Sequence, residues 1–138
     1  MTFKEYVFVD TSAWVALADK DDAHHKKAAS VYPSLLKTYK SLITSNLVIA
    51  ESYILILNEL GHKSALKFLE GIRTSPRILK VYSSEGIETD AEEMLTKYAD
   101  QDFSYTDAVS FVIMKKQGVG KAFCFDKHFL TAGFESIV

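Results

Sequence analysis

The sequence holds little of what staples, divides or buries a protein in a membrane. Its single cysteine, Cys124, has no partner in the chain, so a disulfide framework is excluded and a reducing, cytoplasmic-type compartment fits. No Cys/His spacing resembles a zinc site. Two prolines and six glycines are too few for a linker or a low-complexity segment, and no repeat divides the chain. Long apolar runs are also missing. The longest, over residues 47–57, is about half of what a bilayer crossing needs and contains Glu51. A buried helix explains it better, and no membrane association is expected. Residues 1–5 are polar and lead straight into a strand, without the basic and apolar segments of a secretory leader.

Neither sign of charge dominates. Sixteen basic and 18 acidic residues leave a net charge of −2, which supplies no broad positive field for a nucleic acid. Basic residues gather locally at Lys26-Lys27, Lys37 with Lys40, Arg73 with Arg77 and Lys80, and Lys115-Lys116. Each group reads as a solvated helix face or end.

What is present is an ordinary globular composition, 48% hydrophobic and 25% charged, in 138 residues. That length suits one domain over residues 1–138 with a core of its own. The pattern predicts strands at 6–9, 41–44, 78–82 and 122–125, and a last strand toward Ile137-Val138. Helices are predicted from Ser12, over 22–38, over 47–60 with Asn46 as cap, over 62–73, over 85–98, and from Ser104 to the Gly118 turn. A short helical segment precedes the last strand. Such alternation implies an α/β fold with a mainly parallel sheet covered on both faces. Ligands of such sheets bind beyond the carboxyl ends of the strands, where strand order reverses.

Four carboxylates fall where that crevice is expected. Asp10 and Asp126 follow the apolar runs Tyr6-Val7-Phe8-Val9 and Ala122-Phe123-Cys124-Phe125. Asp10 can also cap the first helix, and Asp126 can simply open a loop. Asp107 stands three residues after Ser104, the spacing of a capping box with Asp in place of Glu or Gln. Glu51 interrupts an apolar helix and is expected to be buried, without a nearby Lys or Arg to neutralise it. Clustered acids repel one another unless a hard divalent cation such as Mg²⁺ or Mn²⁺ joins them. Setting the four aside leaves 14 acids against 16 bases, so net charge neither supports nor excludes an RNA partner.

Phe8-Val9-Asp10-Thr11-Ser12, Val48-Ile49-Ala50-Glu51, Ser104-Tyr105-Thr106-Asp107-Ala108 and Phe125-Asp126, in that order, closely resemble the PIN-domain nucleases. The nearest character is that of the VapC-like toxin ribonucleases of toxin–antitoxin pairs. The resemblance implies a three-layer α/β/α sandwich and Mg²⁺- or Mn²⁺-dependent hydrolysis of RNA by metal-activated water. It assigns Asp10, Glu51, Asp107 and Asp126 to an acidic metal pocket. It makes Thr11 and Thr106 hydroxyls that orient a carboxylate or a water, and Ser104 the helix cap. Asp102 is placed behind the ligands, as a supporting residue. It further implies a homodimer and a small cognate antitoxin, although no residue of this chain identifies one.

Other residues invite different chemistry. His24-His25, His62 and His128 suggest an imidazole ribonuclease, yet all four read as surface or packing residues. Trp14 reads as packing for the first helix. An aspartate-nucleophile phosphatase starting from Asp10 usually has a second acid two positions on, where Ser12 stands. A non-catalytic module that grips RNA or protein is the remaining alternative.

Overall fold

The computed structural model describes residues 4–138, so the polar lead-in expected over residues 1–5 lies partly outside the described residues. In chain order the elements are β1 (Lys4–Val9), α1 (Thr11–Ala18), α2 (His25–Thr38), β2 (Tyr39–Ser45), α3 (Asn46–Leu60) and α4 (His62–Thr74). They continue with β3 (Ile78–Val81), α5 (Glu85–Lys97), α6 (Tyr105–Gln117), β4 (Lys121–Phe123), α7 (His128–Thr131) and β5 (Glu135–Ser136).

The strands form one sheet in the order β3-β2-β1-β4-β5, and every pairing among the described residues is parallel. From β1 the chain winds outward through β2 and β3, then returns to place β4 on the other side of β1. Strand order therefore reverses between β1 and β4. The helices pack as two groups, α1 through α4 and α5 through α7. Right-handed crossovers set these groups on opposite faces of the sheet, giving the α/β/α sandwich.

Both faces bury large side chains. Phe8, Leu42, Ile43, Phe111, Phe123 and Phe129 are almost wholly inaccessible. Phe111 meets Phe129 edge to face at 5.0 Å and Phe103 at 5.1 Å. Trp14 packs as expected, edge-on to Tyr32 and Phe68, with its indole N–H donating to Thr44 Oγ1 at 3.2 Å.

Several boundaries differ from the sequence reading, each for a local reason. α2 begins at His25 rather than at 22. Asp19 and Asp22 instead accept bonds from the backbone N–H groups of Asp21 and His24, and those turns compete with a helix. Pro33 lies inside α2 on its exposed side, where the carbonyl left without its helical partner one turn earlier can bond to water. The cap of α3 is Ser45, not Asn46: Ser45 Oγ accepts from Val48 N at 3.1 Å. Asn46 turns its side-chain oxygen to Ser83 N at 2.8 Å, fastening α3 to the segment before α5. β4 stops at Phe123 because the Phe125 N–H leaves the ladder for Ser12 Oγ, at 2.9 Å. The last strand is Glu135–Ser136, short of Ile137-Val138.

The larger correction concerns α3. Its sequence is apolar nearly all round, yet Ile54 and Leu55 are 55% and 45% exposed. The deeply buried helix is α6, in which every residue from Asp107 to Met114 is buried. Among the described residues, no helix is long and apolar enough to cross a membrane.

Candidate active site

The reversal between β1 and β4 leaves a crevice at the strand ends, and three of the four expected acids meet there. Asp10 follows β1 directly. Its backbone N–H donates to Phe123 O at 3.1 Å, which ties it to the end of β4. Its side chain caps α1: Oδ2 accepts from Ser12 N at 3.3 Å and from Ser12 Oγ at 2.9 Å. Since Ser12 Oγ also accepts from Phe125 N, one hydroxyl holds Asp10 and the loop after β4 in fixed relation. These bonds give Ser12 a structural task at the position where the phosphatase alternative would have its second acid.

That loop carries Asp126 against Asp10. The Asp10 carboxyl is pushed up from 3.8 to about 7, chiefly by burial and next by the charge of Asp126, with the Ser12 bonds pulling the other way. Burial and the adjoining Asp126 carboxylate thus favour a proton or a cation at Asp10.

Asp107 comes from the first turn of α6 and closes the capping box. Ser104 Oγ accepts from Asp107 N at 2.9 Å, while Asp107 Oδ2 accepts from Ser104 N at 3.0 Å. Cap and cluster coexist, because the same Oδ2 also receives His128 Nδ1 at 2.8 Å. His128 in turn donates its backbone N–H to Asp126 Oδ1 at 2.9 Å. Ligand atoms of Asp107, Asp126 and His128 all lie within 4.8 Å of one another, the only such His/Cys/Asp/Glu group among the described residues.

The remaining expected residues divide. Thr11 is buried beside Asp10, and its Oγ1 has no hydrogen-bond partner. Thr106 is half-buried in the first turn of α6, whereas Asp102 is exposed before it. Glu51 corrects the sequence reading. It is half-buried rather than buried, because α3 turns one side to solvent, and it does not join the Asp107 group. The premise that a buried charge demanded a partner does not hold for this residue. α3 does pack against both α1 and α6, the helices that carry the other acids.

His128 is the residue that sequence reasoning undervalued. Only 29% of its side chain is exposed, and its ring meets Phe103 edge to face at 5.7 Å. Its position two residues after Asp126 was the available signal. The other histidines have separate tasks: His24 stacks on Phe125 at 4.5 Å, and His25 Nδ1 lies 2.7 Å from Ala16 O. Outside Asp126 is a cleft of about 330 Å³ lined by His24, Lys27, Phe125 and Lys127 among others.

The donor set suits a hard divalent cation. It offers the carboxylate oxygens of Asp107 and Asp126 beside the His128 ring, with Asp10 against Asp126 and no thiolate, a mainly oxygen chemistry matched by Mg²⁺ or Mn²⁺. Cys124, though near, has a thiol pushed up to about 12 by burial, which keeps it protonated.

A parallel sheet reversing at an acidic crevice defines a class, and similarity to known proteins gives it a name. The PIN domain profile matches residues 7–135, and the chain belongs to the PIN domain family. It is 34% identical over 131 residues to the 23S rRNA-specific endonuclease VapC20 of Mycobacterium tuberculosis, covering 95% of this chain and 97% of that protein. The crystal structure of that VapC20, described as a Sarcin-Ricin loop cleaving toxin, superposes with a TM-score of 0.86 over 93% of this chain and 95% of its own. FitAcB from Neisseria gonorrhoeae shares the fold, with a TM-score of 0.65 at 15% identity and 96% of each chain covered.

Proposed function

We propose that this protein is a Mg²⁺- or Mn²⁺-dependent endoribonuclease of the VapC toxin type, a single nuclease domain whose substrate is ribosomal RNA. The observation that carries the reading is the meeting of Asp10, Asp107 and Asp126 where strand order reverses. The similarity to VapC20 over nearly the whole chain directs it to the large-subunit rRNA.

In this reading Asp10, Asp107 and Asp126 hold the cation, and Glu51, brought by α3, completes the acidic lining. A divalent cation held there would supply Lewis-acid polarisation of a phosphoryl oxygen and a more acidic water as nucleophile. Burial of Asp10 keeps bulk water from screening the site. Thr11 Oγ1 supplies an unused hydroxyl to orient a water or carboxylate, and Thr106 does so from α6. Ser104 fixes the first turn of α6, with Asp102 supporting the preceding segment. Lys27 and Lys127 offer cations, and the His24–Phe125 pair an aromatic surface, to nucleotides beside the scissile phosphate.

A homodimer is part of the reading, supported by the exposed Ile54 and Leu55 on α3. A cognate antitoxin is another part, supported by the apolar groove containing Trp14, Tyr32, Phe68 and Ile72. A reducing cytoplasm accords with the unpaired Cys124.

The test is cleavage of a sarcin–ricin loop RNA and unrelated hairpins with Mg²⁺, Mn²⁺ or EDTA, by the wild type and Asp10→Asn. Expected products carry 5′-phosphate and 3′-hydroxyl ends, and Asp10→Asn cuts none of the RNAs. Undiminished cutting by Asp10→Asn, or cyclic phosphate ends formed in EDTA, defeats the proposal.

A further inference from the structure

We propose that His128 is a positioning residue that decides which oxygens of the acidic cluster remain for the cation, an inference resting on the metal-dependent reading above. Each carboxylate has one oxygen held by protein donors. Asp10 Oδ2 takes both Ser12 bonds, and Asp107 Oδ2 takes the Ser104 N–H and the His128 ring. Asp126 Oδ1 takes the His128 backbone N–H. Among the described residues, Asp10 Oδ1, Asp107 Oδ1 and Asp126 Oδ2 receive no bond from a backbone N–H, a serine or threonine hydroxyl or a histidine ring, and the carboxyl–carboxyl bond between Asp10 and Asp126 is the one that a cation would replace. One oxygen per acid is therefore left, which favours monodentate ligation from three directions.

His128 makes two of these bonds, one through its ring and one through its backbone, to acids on different elements. An ionised carboxylate only accepts, so the ring proton sits on Nδ1 and the bond to Asp107 fixes the tautomer. Phe103, edge to face against the ring, limits its rotation.

The same proximity makes the ring a candidate ligand. Ligation through Nδ1 would displace its proton and break a 2.8 Å bond to Asp107. Hard cations also prefer the oxygens that this bond leaves in place. Ligation through Nε2 would leave that bond intact, so it is the preference of a hard cation for oxygen that places His128 behind Asp107 as an orienting group.

The amide nitrogen of asparagine lies the same number of bonds from Cα as Nδ1, whereas that of glutamine matches Nε2. Mn²⁺ binding by calorimetry to wild type, His128→Asn, His128→Gln and His128→Ala discriminates the roles, with melting in EDTA to show that each variant folds. His128→Asn is expected to stay near wild-type affinity, while His128→Gln and His128→Ala lose about 10- to 100-fold. Electron spin-echo spectra of Mn²⁺ on the wild type should show no directly bonded nitrogen. A nitrogen coupling, retention by His128→Gln with loss in His128→Asn, or equal affinity in all four proteins overturns the inference. If the three His128 variants match a wild type that binds Mn²⁺, only this inference fails. If the wild type takes up no Mn²⁺, the metal-dependent reading fails with it.

Discussion

Replacing Asp10 by asparagine should make the metal-free protein more stable while abolishing its proposed activity. The carboxyl is 3% exposed and its pKa rises from 3.8 to about 7 on folding, so the folded state holds that proton more tightly than the unfolded chain. The sign follows from linkage. The charge-burial penalty is absent below about pH 4, grows as pH rises toward 7, and is complete above it. Roughly three pKa units at 1.36 kcal/mol each put the full penalty at about 4 kcal/mol, of which roughly a third is already present at pH 5.

Asparagine removes the charge but keeps an oxygen for the two Ser12 bonds, and its amide can donate to Asp126. In EDTA at pH 8 the variant should melt on the order of 10 °C above wild type, and the gap should shrink to a few degrees at pH 5. Added Mn²⁺ should raise the wild-type midpoint and leave the variant nearly unmoved. Calorimetric scans at both pH values check this. An Asp10→Asn protein that melts below wild type in EDTA at pH 8, or an offset independent of pH, refutes the account of the site as a suppressed charge conflict.

Three further outcomes are expected. Mn²⁺ and the Asp10 proton compete, so the apparent Kd from titration should weaken about tenfold between pH 8 and pH 6. The Cys124 thiol, buried and pushed up to about 12, should resist a disulfide reagent in the native protein and react only after unfolding in denaturant. Lys27→Glu with Lys127→Glu should weaken RNA binding measured in EDTA and reduce the slope of log affinity against log salt by about 0.7 for each phosphate no longer neutralised. Mn²⁺ affinity in that double variant should change little, since neither lysine contributes an oxygen ligand.

The sequence by itself determined the alternation of strands and helices, because short continuous apolar runs and a 3.6-residue apolar period are local properties of the chain. It also determined the box joining Ser104 to Asp107, whose partners lie within one helical turn, and the place of Asp10 and Asp126 after apolar runs. It misplaced the cap of α3 because Ser45 and Asn46 are both competent, and only the remote Ser83 N–H draws Asn46 away.

Tertiary structure decided the rest. Apolar composition cannot distinguish a helix buried on all sides from one with an exposed face, so α3 looked buried and α6 did not stand out. The exposure of Ile54 and Leu55, and with it the half-buried setting of Glu51, depends on where the helices pack. His128 acquires its role only when α7 is set against the start of α6, a meeting across 21 positions of chain. The contact between Asp10 and Asp126 likewise requires β4 to pair beside β1, since hydrogen-bonded strands bring together carboxylates that no local pattern connects.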